Sequence, residues 1–487
     1  TLSKQQNLEN LFLELPEESK KKIDSLKIKL GLSIEISSQE SEPLTESKFK
    51  TPVSSFLDKK DFLTKNLDLE FVSERVKILS NVSFINKKIE VMDFVKYFRN
   101  RFLEIRSFLQ ERSELDDLVS INKIFGSRQG ISVVGIISDK RVTKNKNIIF
   151  EIEDLTGRMK VLINNNKKEL YQKAEDITLD SVVAFKGSGS REILFVNDIF
   201  FPEANLLERK SFPFEENALF IGDIHYGSKL FLEDNFLKFI DYLNGKIPHT
   251  PEVEKIKYIF VVGDLITGIG NYPNQERDLK IKDLEEQFIG LSELFGKIRK
   301  DIAIIASPGN HDGVRLMEPQ PFLDEKYAWP VLNLKNFIST PNPCLVNIGS
   351  RKNFDGFNVL TYHGFSFPFY ADNIPSLISK KAMNAPNEIM KYLLKNRHLA
   401  PTHASVQSYP CEKDPLIINK VPDIFVSGHT HKSGISYYNN ILLVSISTWE
   451  GKTPYQEKFG NEPDHCKVPF LNLKTREVKI LDFEDEK

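Results

Sequence analysis

Five short polar islands, each set directly behind an apolar run, constrain this chain more than any other feature. They are Gly222-Asp223-Ile224-His225, Gly263-Asp264, Gly309-Asn310-His311-Asp312, Tyr362-His363-Gly364 and Gly428-His429-Thr430-His431. The runs before them, at 218–221, 256–262, 302–306, 359–362 and 424–426, read as buried strands. Helical patterns near 232–243, 279–298 and 376–396 fall between several of them. This alternation predicts an α/β layer fold, in which loops at the C-terminal ends of strands gather polar groups into one site.

The islands supply carboxylates, one amide and several imidazoles. In Asp223-Ile224-His225 a short bend aims two donors at one ion. Asp264 has two carboxylate oxygens and can bridge two cations, which an imidazole cannot. Asn310 offers a neutral carbonyl oxygen and adds no negative charge near an anionic substrate. His363, His429 and His431 contribute ring nitrogens. Mixed nitrogen and oxygen donors without thiolate favour two ions of Mn²⁺, with Fe²⁺ or Zn²⁺ as alternatives, over Mg²⁺ or Ca²⁺. Such pairs activate water against phosphate esters. Asp312 either orients neighbouring groups or closes its turn. A histidine standing alone is an ordinary hydrogen-bonded loop residue, and His249, His398, His403 and His465 are read that way.

At 487 residues the chain is too long for one core, and about three domains are expected. Residues 1–32 read as a helical segment and 33–55, rich in Ser, Glu, Thr, Lys and Pro, as a flexible linker. A mixed helical region follows over 56–128, a β domain over 129–205 and the α/β domain over 206–487. The mixed region contains an amphipathic helix. Its Phe94, Val95, Phe98, Phe102, Ile105 and Leu109 recur at three- and four-residue steps, a stripe read as core packing. In the β domain, 131–137, 148–152, 159–163, 182–187 and 193–200 read as strands, with a helix near 167–175. Five strands with a helix in that place predict an OB-type barrel. The basic segment 140–146 reads as a solvated hairpin tip at least as well as a contact for a nucleic-acid backbone.

A formal charge of −2 means that any contact with nucleic acid must come from local patches or from a partner. Cys344, Cys411 and Cys466 lie far apart and form no CxxC pair, so neither a zinc ribbon nor a disulfide framework is indicated. No uncharged apolar run approaches the roughly 18 residues of a membrane span, and the first residues lack the apolar stretch of a signal peptide. A reduced, cytoplasmic setting is the expectation.

The ordered set Asp-x-His, Gly-Asp, Gly-Asn-His-Asp, His and Gly-His-x-His resembles the calcineurin-like metallophosphoesterases. That resemblance implies one metal on Asp223, His225 and His431 and another on Asn310, His363 and His429. Asp264 would bridge the two, and His311 would stay uncoordinated, facing the leaving group as a general acid. Protein Ser/Thr phosphatases of this superfamily continue Gly-Asp with an Asp-Arg pair that grips a phosphomonoester. Here Leu265-Ile266-Thr267-Gly268 follows, so that arginine is missing.

Four further stretches narrow the resemblance. Asp93 to Arg101 (DFVKYFRNR), Arg397-His398-Leu399-Ala400-Pro401, Val421-Pro422-Asp423-Ile424-Phe425 and Ser447-Thr448-Trp449 are similar to the small subunit of archaeal family-D DNA polymerases. The similarity runs from about residue 90 to the end. Thr402-His403 departs from the Tyr-Gly-like continuation of that family, which bears on local substrate contacts and not on metal binding. The resemblance implies a proofreading 3′–5′ exonuclease acting on a DNA primer–template, with synthesis left to a large catalytic subunit. The barrel is then the expected docking surface for that subunit. A non-catalytic scaffolding subunit and a repair-type metallonuclease are the alternatives; the intact ligand set speaks against the first and the barrel against the second. Gln5, Leu8, Leu11 and Phe12 fit a sliding-clamp-binding box, in which one helical turn plugs an apolar pocket. A small helical domain has the same spacing.

Overall fold

Alternation of apolar side chains along the strands sets the layering. In the strand Asn217–Ile221, Ala218 and Phe220 face one way and Leu219 and Ile221 the other, and all four are buried. A strand covered on both faces belongs to the middle of a layered fold. The computed structural model describes residues 75–80, 88–115 and 117–484, apart from the side chains at 455 and 459. Gln5, Leu8, Leu11, Phe12 and the 33–55 segment lie outside the described residues.

Two six-stranded sheets stack face to face. The first runs Phe337–Ser339, Ala303–Ser307, Ile256–Val262, Asn217–Ile221, Lys467–Asn472 and Val478–Asp482. Its first four strands are parallel and its last two pair antiparallel. The second runs Val76–Ile78, Cys344–Ile348, Phe357–Tyr362, Ile424–Ser427, Ile441–Ser445 and Gly434–Tyr438. Phe220, Phe260 and Ile305 of the first sheet share an apolar core with Val346, Val359, Val426 and Val444 of the second. Helices Glu233–Leu243 and Leu284–Gly296 cover the outer face of the first sheet through Phe236, Phe239, Phe288 and Phe295. Helices Phe367–Asn373 and Pro386–Asn396 cover the second through Phe367, Tyr370, Ile389 and Leu393. The result is a four-layer α/β/β/α sandwich.

Each of the five strands expected before a polar island is present. The helical pattern at 376–396 is instead three pieces: Pro375–Ser379, the 3₁₀ turn Ala382–Asn384 and Pro386–Asn396. Lys381 sits at φ 50° and Pro386 has no N–H to continue a ladder, so one helix cannot pass through both. Strands such as Gly434–Tyr438 and Val478–Asp482 were not foreseen. They are only partly buried and carry polar residues, so no apolar run marks them.

The upstream β domain is a closed barrel in the order Arg128–Val142, Ile148–Asp154, Gly157–Ile163, Ile193–Phe200 and Val182–Gly189, with helix Lys168–Glu175 between its third and fourth strands in sequence. Val133, Phe150, Ile152, Val161, Phe185 and Leu194 fill it. The basic segment is partly strand, because the first strand continues to Val142. Lys140 turns back and donates from Nζ to the carbonyls of Glu175 and Ile177 at 2.6 and 2.9 Å, which takes it out of any basic patch.

Helix Val91–Gln110 corrects the expected apolar stripe. Phe102, Ile105 and Leu109 do pack on Val134, Val182 and Ala184 of the barrel. In the N-terminal half the buried positions are Asp93, Tyr97 and Arg101, whereas Phe94, Val95 and Phe98 are half-buried. The face turns polar because it meets a buried carboxylate. Tyr97 Oη donates to Asp414 Oδ1 at 2.7 Å, and Arg101 Nε donates to Asp414 Oδ2 at 2.7 Å. Arg101 Nη1 donates to the Pro401 carbonyl at 2.9 Å, and His398 Nε2 lies 2.9 Å from Asp414 Oδ2. His398 is thus a hydrogen-bonded structural residue, as read. Thr402-His403 also lies on the seam with the barrel, where the His403 amide donates to Asp180 Oδ2 at 2.9 Å. Among the described residues no helix is long and apolar enough to cross a membrane. All three cysteines are buried and none is in a disulfide.

Candidate metal centre

Because the strands that precede the islands run parallel within each sheet, their C-terminal ends lie at one edge and the five loops converge there. Three sets of side chains have donor atoms all within 4.8 Å of one another: Asp223, His225 and His431; His225, Asp264 and His311; and Asp264, His363 and His429. Asp264 belongs to two of these sets. Its Oδ2 lies 3.3 Å from His363 Nε2 and 3.9 Å from His225 Nε2. His431 Nε2 lies 3.5 Å from Asp223 Oδ1 and 3.2 Å from His225 Nε2. Asn310 joins the set of Asp264, His363 and His429 through Oδ1, which is 2.9 Å from His363 Nε2. All seven of these side chains therefore lie in one cluster of overlapping donor sets. His311 lies against the cluster, sharing a donor set with His225 and Asp264, its ring 4.9 Å from that of His225.

The cluster is built on strained backbone positions. Asp223, His225, Asp264, His429 and His431 all adopt positive φ, between 45° and 68°. Such conformations cost non-glycine residues roughly 1–3 kcal/mol each and persist where surrounding structure enforces them. Two glycines are required by close approach. A Cβ on Gly263 would overlap His363 Nδ1, and a Cβ on Gly309 would overlap the Asp264 carboxylate.

A hydrogen bond fixes the His363 tautomer. His363 Nδ1 faces the Val262 carbonyl at 3.3 Å, and a carbonyl only accepts, so the hydrogen is on Nδ1 and Nε2 points into the site. His311 Nδ1 lies 2.8 Å from the Thr267 carbonyl, an acceptor, and 3.0 Å from Asn271 Nδ2, a donor. His363 Nε2 thus converges with Asn310 Oδ1 and Asp264 Oδ2, three electron-pair donors that only a proton or a cation can hold together. Burial pulls the His363 pKa down, but the Asp264 carboxylate outweighs it and pushes the ring up to about 10. Burial, reinforced by charge on His363, drives His429 down to about 3. An oxygen- and nitrogen-rich, thiol-free set of this kind fits hard or borderline divalent ions.

Asp312 takes up a role already read from the sequence, and several other supporting residues escaped that reading. Asp312 closes its turn: its Oδ2 accepts from the Gly309 amide at 2.7 Å and its Oδ1 from Ile266 at 3.0 Å. The His363 amide donates to Asn342 Oδ1 at 2.9 Å, and Asn342 Nδ2 donates to Gln320 Oε1 at 2.7 Å. Tyr362 Oη donates to Glu318 Oε2 at 2.8 Å. Asn342 and Glu318 each precede a proline, which signals a turn and nothing about a metal site. Asp223, His225, Asp264, His363 and His431 are buried; Asn310, His311 and His429 form the more open side.

The fold and site together define a calcineurin-like metallophosphoesterase joined to an OB-fold. The family model for calcineurin-like phosphoesterases matches residues 217–433, and that for OB-fold nucleic acid binding domains matches 131–192. Phosphoesterases of this class work with divalent metal ions. Relatives matched over most of this chain narrow the class. The chain is 34% identical over 423 residues to the DNA polymerase II small subunit of Methanothermobacter thermautotrophicus, covering 86% of this chain and 84% of that protein. It is 35% identical to the Pyrococcus furiosus small subunit, covering 86% and 69%. For the protein of Methanocaldococcus jannaschii the identity is 37%, covering 79% and 64%. This chain belongs to the DNA polymerase II small-subunit family.

Proposed function

We propose that this subunit is a metal-dependent 3′–5′ exodeoxyribonuclease that removes nucleotides from the primer end for a separate large catalytic subunit. The observation that carries the reading is the convergence of Asp223, His225, Asp264, His363, His429 and His431, with Asn310 against His363, into overlapping donor sets. Divalent ions, Mn²⁺ foremost, would be held by Asp223, His225 and His431 and by Asn310, His363 and His429, with Asp264 between. Such ions lower the pKa of water and neutralise phosphate charge.

The chain's own residues do the rest. Asp264 Oδ1 accepts from the His311 amide at 2.9 Å, which leaves Oδ2 toward the imidazoles. In its imidazolium form His311 donates from Nδ1 to the Thr267 carbonyl at 2.8 Å, which leaves Nε2 as the atom that delivers a proton to the departing 3′-oxygen. Asn310, His311 and His429, on the open side, receive the phosphodiester. DNA primer–template is the substrate, the barrel is the docking face for the large subunit, and residues 5–12 contact the sliding clamp.

The test is Mn²⁺-dependent digestion of a mismatched primer–template by the complex with the large subunit, comparing wild type with Asp264→Ala. The 3′ end should shorten only with wild type. An intact primer in the presence of bound metal would leave a scaffolding role.

A further inference from the structure

The loop that follows Asp264 carries an exposed aromatic ring on a rigid mount, next to the open side of the metal centre. Asn271 Nδ2 lies 3.0 Å from His311 Nδ1, and Tyr272 is the next residue. Tyr272 Oη donates to Asp278 Oδ2 at 2.9 Å. The Asp278 carbonyl in turn accepts from the amide of Lys229, four residues beyond His225. The ring is therefore placed between the His311 loop and the His225 loop, at the rim of the site.

The mount is stiff. Gln275 is fully buried; its Oε1 accepts from the Asn271 amide at 2.9 Å and its Nε2 donates to the Thr267 carbonyl at 3.0 Å. The amide of Gly268 donates to Gln287 Oε1 at 2.8 Å, and Gln287 is also buried. Yet 43% of Tyr272 stays open to solvent, beside Ile269 at 47%. An aromatic ring whose hydroxyl and backbone are both tied down, but whose body is uncovered, loses little freedom when a flat partner lies on it.

We infer that Tyr272 is a stacking platform for the nucleobase at the single-stranded 3′ end, holding the terminal nucleotide while its phosphodiester enters the metal centre. This rests on the nuclease reading above and adds the recognition of a base. Stacking on an aromatic ring is blind to base identity, which suits an enzyme that must accept any misinserted nucleotide.

The test uses the two-subunit complex with Mn²⁺ and single-stranded oligonucleotides ending in either a normal nucleotide or an abasic tetrahydrofuran unit. Wild type should prefer the base-bearing end. Tyr272→Ala should reduce that preference about tenfold, mainly through KM, within the range expected for losing one base–aromatic stack. Tyr272→Phe, which keeps the ring, should retain most of it. An equal loss on both substrates, or no loss on either, overturns the inference. A terminal 2-aminopurine, followed by fluorescence in Ca²⁺, separates the two readings. Quenching that depends on Tyr272 without any hydrolysis in Mn²⁺ would refute the nuclease and keep the stack; hydrolysis with quenching unaffected by Tyr272→Ala would do the reverse.

Discussion

Replacing Asp414 by alanine should destabilise the protein more than any comparable change at the surface. Asp414 is fully buried, and its carboxylate accepts from Tyr97 Oη, Arg101 Nε, His398 Nε2 and the Leu416 amide. Arg101 is equally buried, so the variant leaves a guanidinium in the interior with no counter-charge. Breaking one side of such a pair costs about 3–5 kcal/mol, a large fraction of the 5–15 kcal/mol that holds a typical domain together. Replacing both members by apolar residues, as in Arg101→Met with Asp414→Leu, removes the stranded charge and should recover most of that loss. The assay is equilibrium urea unfolding of the full chain. With a slope of about 3 kcal/mol per molar, Asp414→Ala should lower the midpoint by roughly 1 M or more. A single-variant cost under about 1 kcal/mol, or a double variant worse than either single one, would refute the account of this joint as a buried ion pair.

The same joint should weaken in acid. Burial, reinforced by the Arg101 charge, pushes His398 down to about 4, and the geometry agrees, since Nε2–H donates to Asp414 while Nδ1 accepts from the Ala400 amide at 2.9 Å. Its folded pKa lies below the unfolded value of about 6.5. Stability is therefore full above that value and falls as pH drops toward about 4, by as much as ~3 kcal/mol; His398→Gln should flatten this part of a stability–pH curve. Gly309→Ala would drive a Cβ into the Asp264 carboxylate, so Mn²⁺ binding measured by calorimetry should weaken at least tenfold; unchanged affinity would contradict the packing. His311→Ala should keep its bound metal and lose roughly 10²–10⁴-fold in cleavage rate, and unaltered turnover would remove its proton-donor role.

The sequence was most legible where chemistry and backbone pattern coincide. Asp223, Asp264 and His363 each stand directly behind a strand that is apolar on both faces, so both the strand and the loop can be read locally. The apolar stripe Phe102, Ile105 and Leu109 was legible for the same reason. Its upper half was not. Tyr97 and Arg101 look like solvent-facing positions until Asp414, some 300 residues away, is brought beneath them.

The sequence by itself thus determined the strand order of the ligands, their chemical type and the layered fold that carries them, because these follow from periodicity and side-chain donors. Only the tertiary structure decided that Asp264 lies between two clusters, that Asp312 closes its turn, and that the helix before the barrel is locked to the phosphoesterase by a buried charge. Those facts depend on which distant groups are excluded from water together, and no local stretch of chain carries that information.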